Sequence, residues 1–299
     1  MRKRTRKWYR VVKRQTRTFS APYRFILFLS VILLFPLVDR NPYHIDVLVT
    51  AGMFIMLALG LNIIVGSAGI LNLGYAALFA VGAYAYALAN VYFHVPFWVG
   101  LWVGALLAAI FGMVLAFPAL RLTGDYIAIV TLGTGEIVRI VLNNLDEITG
   151  GPNGLLGIAH PTLWLPRYQF GVQSEPYYFL VFILITFIVL ALRRLESSRL
   201  GRAWIALRED ELAASCMGIN PVWAKLSAFG MGGFIAGIAG AVFASKQGTV
   251  SPDSFDFIVS VMVLAMVVLG GLGNIAGAIL GAFETRQSKV NLLPEYLNQ

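Results

Sequence analysis

The sequence predicts an all-α fold: a polytopic transmembrane helical bundle of about eight spans plus a glycine-rich short or re-entrant segment. Three observations predict it. Hydrophobic residues make up 58% of the chain and charged ones 13%, against roughly 25% charged in a soluble domain. From Val47 to Leu120 there is no Asp, Glu, Lys or Arg, and further uncharged runs cover Pro176 to Leu192, Leu226 to Ser245 and Phe257 to Phe283. Apolar runs of about 18 residues or more are long enough to cross a bilayer. Finally, ten of the 23 basic residues lie in the first 24 positions, which reads as a positive-inside topology signal beside acidic lipid rather than a nucleic-acid surface.

Residues 1–24 form a basic tail, with Trp8 and Tyr9 suited to the headgroup layer. Phe25 to Val38 follows as an uncleaved first span, since Asp39-Arg40-Asn41-Pro42 offers no small-x-small cleavage site. The long uncharged block holds spans near 47–65, 70–89 and 97–117, broken at Gly66-Ser67-Ala68-Gly69 and between Asn90 and Pro96. Pro118 and Arg121 to Asp125 mark a return to water, and a fifth helix covers 126–142. A polar Gly- and Pro-rich loop, Asn143 to Pro176, precedes a sixth span at 177–192; the seventh and eighth lie near 226–244 and 255–270. GGLGNIAGAILGAF is too short for a full crossing and is expected as the re-entrant or broken segment. The transmembrane domain is thus 25–283, with a polar tail at 284–299.

With the amino terminus in the cytoplasm, the inner segments 1–24, 66–69, 118–125 and 193–225 carry 10, 0, 1 and 6 basic residues. The outer segments 39–46, 90–96, 143–176 and 245–254 carry 1, 0, 1 and 1. This asymmetry orients the bundle and places 193–225 inside. That segment is dense in both charges, and Ala203 to Met217 reads as one amphipathic helix, with Ala203, Leu207 and Ala214 on its apolar side and Arg208, Glu209 and Asp210 clustered beyond. Gly218 and Asn220-Pro221 stop it. Such a helix between two spans is either a solvated linker or a docking element that receives a push from a soluble partner; its length and sharp stop favour docking.

Within the fifth helix, Glu136, Arg139 and Asn143 share one face by their spacing of three and four. Glu136 lies roughly 15 Å from a start near Tyr126, where an ionised group costs at least about 2.5–3.5 kcal/mol. The set is either a structural ion pair or part of a pathway or gate. Gly150-Gly151-Pro152-Asn153-Gly154 is a turn by composition, facing outward, where its amides could also meet a polar solute; Gly151 and Asn153 are the candidates there. Asn62, Ser67, Asn72 and Thr131 are uncharged polar groups in apolar spans, a pattern that more often joins helices than binds cargo. Gly66-x-x-Gly69 recurs as Gly270-x-x-Gly273 before another alanine-rich helix, a pairing that points to an internal repeat framing a translocation path. Cys216 is the single cysteine, and His44, His94 and His160 are scattered. The sequence therefore predicts neither a metal site, a cofactor nor an enzyme.

Four ordered stretches, LNIIVGSAGILNLGYAALFAVGAYAYAL, LRLTGDYIAIVTLGTGEIVRIVLNN, ITGGPNGL and SRLGRAWIALREDELAASCMGINPVWAKLSAF, resemble the permease family of branched-chain amino-acid ABC importers, its M-type subunit above all. The resemblance covers roughly 45–283. It implies a membrane permease of an ATP-driven importer of branched-chain or other hydrophobic amino acids, in the bacterial inner membrane. The implied partners are a second permease subunit, two cytoplasmic ATPase subunits and an extracytoplasmic solute-binding protein, besides membrane lipid and without nucleic acid. Glu211, Ala213, Ala214 and Gly218 resemble the family's EAA-type coupling pattern, with Leu212 intervening; Arg208, Glu209 and Asp210 adjoin it. No GxxxxGK[ST] occurs in the chain, so ATP hydrolysis falls to the partners. After GAILGAF the family continues to a last span, whereas here ETRQSKVNLLPEYLNQ follows, the ending expected of a truncated, frameshifted or unusually short chain. Urea, amide or aromatic-acid cargo in the same family, and an ion-coupled secondary transporter or channel, are the alternatives.

Overall fold

The computed structural model describes residues 41–120, 122, 126–161 and 175–284. The basic tail 1–24, the span expected at 25–38 and the polar tail beyond Glu284 lie outside the described residues.

Helix α1, Pro42–Leu61, starts on Asn41, whose side chain accepts a hydrogen bond from the Tyr43 amide at 3.1 Å. It continues through one π-helical turn, Asn62–Ser67, closed by Ala68 N–H donating to Ile63 O at 3.0 Å. Residues 68–74 run without helix, so α2, Tyr75–Phe93, begins five residues later than the sequence pattern predicts. His94, in the left-handed region at φ 50, ends it. After Pro96 comes α3, Phe97–Ala119, then α4, Tyr126–Asn144. The short α5, Asp146–Thr149, leads into a 3-10 turn, Gly151–Asn153, and strand β1, Leu155–Leu156.

Helix α6, Glu175–Glu196, is followed by α7, Arg199–Glu209, and α8, Glu211–Cys216. The single helix expected over Ala203 to Met217 is therefore two. Asp210 adopts an extended conformation (φ −163, ψ 115) and caps α8 through Oδ1, which accepts from Ala213 N at 2.9 Å. A short acidic side chain that can cap an amide competes with helix continuation, and here capping wins.

Helix α9, Pro221–Gln247, is the most enclosed span. Strand β2, Thr249–Val250, pairs antiparallel with β1, Leu155 opposite Val250. A 3-10 turn, Pro252–Phe255, precedes α10, Phe257–Gly270, and the short helix α11, Ile275–Glu284. Seven of these helices are long and apolar enough to cross a membrane.

The core forms around α9, which packs on α1, α2 and α3. Small residues let the backbones touch. A Cβ on Gly233 would lie 2.5 Å from Ala108 O, one on Gly237 2.6 Å from Gly104 O, and one on Gly240 2.5 Å from Phe79 O. By contrast α4 buries little, and Ile129, Ile137, Ile140 and Val141 are exposed along it; the outer face of α3 shows Trp98, Trp102, Leu106 and Ile110. The glycine-rich segment folds α11 back along α10. Gly277 and Gly281 leave no room for a Cβ, which would land on Gly270 O and Met266 O.

At the end opposite α7 and α8 the connections are stitched to the bundle. Asn90 Oδ1 accepts from Ala159 N at 2.7 Å, and Tyr86 donates to Ala159 O at 2.7 Å. Tyr177 donates to Ser245 O at 2.8 Å, with His160 Nδ1 2.7 Å from the same oxygen. Lys246 pairs with Asp46 at 2.7 Å.

Candidate functional site

The structure gathers the sequence-predicted residues into two places. The first is a junction at the basic end. The helix ends at Ser67, which leaves the Gly66 carbonyl without a donor from its own helix, and Arg208 of α7 donates to it from Nη1 at 2.6 Å. Asn62, one turn back and buried, accepts from Gly273 N at 2.9 Å. Gly69 sits at φ +72, where a Cβ would lie 2.8 Å from Arg208 Cγ. The two glycine patterns seen in the sequence thus meet: Gly66 and Gly273 are in backbone contact, with Arg208 lying across both. Glycine is required at Gly69 and Gly273 both by positive φ and by this crowding.

The second grip at this junction is Glu211 on Lys225, at 2.8 Å. Lys225, in the first turns of α9, is 4% exposed, and a buried ammonium needs its counter-charge. Trp204, fully enclosed, adds a third tie by donating from Nε1 to Ala224 O at 3.0 Å. Arg208, Glu209 and Asp210 all lie on the exposed side, as the sequence reading has it, with Leu207 and Ala214 buried. What the sequence did not show is that the Arg208 guanidinium reaches from there to Gly66 O. Ala214 is buried, Ala213 and Gly218 are exposed, and Gly218 (φ +83) ends α8 with Ile219 N donating to Ala214 O at 3.1 Å. Around them Leu212 (76% exposed), Met217 (83%) and Trp223 (68%) form an apolar rim. Large apolar groups this exposed on a charged segment mark a contact surface.

The second place is a cleft of about 310 Å³ between the start of α2, the middle of α4 and the start of α10. Leu73, Gly74, Ala76, Leu132, Gly135, Glu136, Phe255, Phe257 and Ser260 are among its lining residues. Gly74 and Gly135 let α2 and α4 cross closely, a Cβ on Gly135 lying 3.0 Å from Gly74 Cα. Thr131 Oγ1 accepts from Leu73 N at 3.1 Å, and Ser260 Oγ accepts from Ala76 N at 2.9 Å. Glu136 and Arg139 form the expected ion pair, with Arg139 Nε 3.0 Å from Glu136 Oε1. Arg139 also reaches Asp253 at 3.6 Å. Asn72 Oδ1 accepts from Gly74 N at 2.9 Å, while its Nδ2 is buried without a partner among the described residues. Asn143 Oδ1, farther along α4, is in the same position.

Gly151 and Asn153 do not join the cleft lining. Gly151 is buried at φ +55, where a Cβ would land on Asp146 Oδ1. Asn153 is exposed. Their turn serves to lead α4 into the β1–β2 pair. Sequence reasoning passed over Ser260, the only hydroxyl in the run Phe257 to Phe283, and Lys225, a lone cation at the mouth of an apolar run. Both isolated positions are the kind of signal that could have found them.

A multi-pass membrane bundle with an interrupted helix beside an internal cleft, and with a charged helical pair jointed to one end, has the anatomy of a permease. Comparison with known proteins gives the family. Residues 43–290 match the family model described as branched-chain amino acid transport system / permease component, and the chain belongs to that family. It is 45% identical over 258 residues to the high-affinity branched-chain amino acid transport system permease protein LivM of Salmonella typhimurium, covering 80% of this chain and 61% of that protein. The chain thus spans about three fifths of the length of that relative. A probable branched-chain amino acid transport permease protein LivM of Methanocaldococcus jannaschii is 26% identical over 269 residues, 79% of this chain and 77% of that one. The autoinducer 2 import system permease protein LsrC of Yersinia enterocolitica is 27% identical over 286 residues, 89% and 76% respectively. No solved structure matches the chain.

Proposed function

We propose that this chain is a permease subunit of an ATP-driven importer for branched-chain or other hydrophobic amino acids, set in the bacterial inner membrane with its amino terminus in the cytoplasm. The observation that carries this reading is the double grip of the α7–α8 pair on the bundle, Arg208 on Gly66 and Glu211 on Lys225. A solvated linker has no need to bind two different spans through charged side chains. An element that receives force from outside and divides it between α1 and α9 does.

On this reading, cytoplasmic ATPase subunits cover the rim of Leu212, Met217 and Trp223, with Glu209 and Asp210 beside it. Their closure on ATP shifts α7 and α8 together. Arg208 and Asn62 carry the displacement to the π turn of α1 and to the α10–α11 hairpin, and Lys225 carries it to α9. A second permease subunit faces the sparsely buried α4, and a solute-binding protein delivers cargo at the opposite end. Gly151 and Asn153 act there as framework for the loop rather than as cargo contacts.

The test is uptake of labelled leucine by proteoliposomes holding the permease pair, the ATPases and the binding protein. Uptake should require internal ATP and survive an uncoupler. Uptake that persists without ATP and collapses with the uncoupler would move the protein to the ion-coupled class.

A further inference from the structure

The cleft has a composition that packing does not require. A carboxylate, a hydroxyl and a helix N-terminus open into one space otherwise walled by aromatic and aliphatic groups. Its volume, about 310 Å³, is in the range of small-molecule sites. Glu136 stands about 15 Å along α4 from Tyr126, so the cleft lies at mid-height of the bundle rather than at an end. There an ionised side chain is expensive and marks function.

The two side chains keep unused capacity. The Glu136 side chain is 41% exposed with Arg139 already bound, and a carboxylate accepts about four hydrogen bonds. Ser260 Oγ accepts from Ala76 N, which leaves its own proton to give. Helix α2 follows Gly74; its Ala76 amide is held by Ser260 Oγ and its Ala77 amide by Gly74 O, so its first turn offers the helix dipole rather than free donors. Because residues 70–74 are unwound, the positive end of its dipole lies beside the cleft and favours a negative group. Independently of these, Asn72 keeps Nδ2 fully buried and unpartnered among the described residues, one position before the lining begins.

We propose that this cleft is a transit site for an α-amino acid with an apolar side chain. Glu136 faces the ammonium. The Ser260 hydroxyl and the first turn of α2 face the carboxylate. Leu132, Phe255 and Phe257 pack on the side chain. The assignment rests on the amino-acid importer reading above and adds to it where in the membrane the cargo's two charges are held. Glu136 and Arg139 neutralise each other when the site is empty, and the zwitterion's own opposite charges let it enter without net charge being buried.

The experiment measures equilibrium binding of labelled leucine to the complete permease–ATPase complex in lipid nanodiscs, alongside ATP-dependent uptake with the binding protein present. Two competitors each lack one charge: isopentylamine has no carboxylate and 4-methylpentanoate no ammonium. In the wild type both displace leucine weakly. Glu136→Gln should lower leucine affinity roughly tenfold or more and abolish displacement by the amine, while Glu136→Asp restores part of it. Ser260→Ala should keep displacement by the amine and lose that by the acid. Leu132→Trp, which narrows the cleft without touching either charge, should weaken leucine more than alanine. If Glu136→Gln and Leu132→Trp complexes assemble, transport and bind leucine as the wild type does, the site is overturned while the importer reading stands. If the wild-type complex neither binds nor transports leucine, the amino-acid reading falls and the site with it.

Discussion

At the junction, Arg208, Asn62, Glu211 and Lys225 are each met by a partner on another element. Around the cleft, Glu136 keeps an open flank and Asn72 Nδ2 has no partner among the described residues. The same chain therefore satisfies its polar groups at one end of the bundle and leaves them in want near the middle. On the proposed reading, the difference matches what each region would have to do. A joint that passes force must not yield, so its charges are paired and its backbones are in contact. A passage must hold its cargo loosely enough to release it, and groups already saturated by protein partners have nothing to offer a solute.

The comparison can be broken or sharpened by substitution. The largest effect is expected from Glu211→Ala, which strands the buried Lys225 and should cost about 3 kcal/mol, read as a lower unfolding temperature of the purified permease together with loss of ATP-driven uptake. Adding Lys225→Met to that variant should return most of the stability and little of the uptake. Were Glu211→Ala to melt like the wild type, the junction would not be the stiff region. Next is Gly66→Ala, whose Cβ would land on Asn62 Oδ1 and Gly273 N; about 1–3 kcal/mol is expected from overpacking, with the same two readouts. Gly218→Ala, at φ +83 in open space, should cost about 1 kcal/mol from backbone strain alone. Arg208→Lys should lose about 1 kcal/mol with the Gly66 hydrogen bond, yet leave ATP hydrolysis running while leucine uptake falls. Asn153→Ala, exposed and outside both regions, should change stability by no more than about 0.5 kcal/mol and leave uptake unchanged.

Much of this architecture was legible from periodicity and charge. Length and hydropathy placed the described spans to within a few residues, and the spacing of Glu136 and Arg139 foretold their pairing. The resemblance read in the four motifs names the same family that the comparisons give. Local rules failed where a side chain's partner is distant in sequence. Arg208 looks like a surface cation until Gly66, 142 positions away, is seen to lack an α-helical donor. The early end of the helix at Ser67, which frees that carbonyl, is not marked by a proline or a charge. Asp210 reads equally well as a helix interior residue or as a cap, and only the requirement that Glu211 reach Lys225 shows why the chain turns there. Ser260 carries no periodic signal, since its role depends on α10 meeting the first turn of α2. The unwound start of α2 was missed for the same reason: Ile70 to Gly74 is apolar enough for a span, but its amides are directed to Thr131 and Asn72 instead.

The stitching of the loop end has a mechanical corollary. Ser245 O, held by Tyr177 with His160 alongside, and Lys246, held by Asp46, fix the far terminus of α9. On the proposed coupling, Lys225, at the near terminus, is where a moving α7–α8 pair would take hold. Twenty residues separate the two points, an arm of about 30 Å with its fulcrum at Ser245. A stroke delivered at Lys225 would then be reduced by roughly half at the glycine contacts midway, trading distance for thrust where the helices are most tightly meshed.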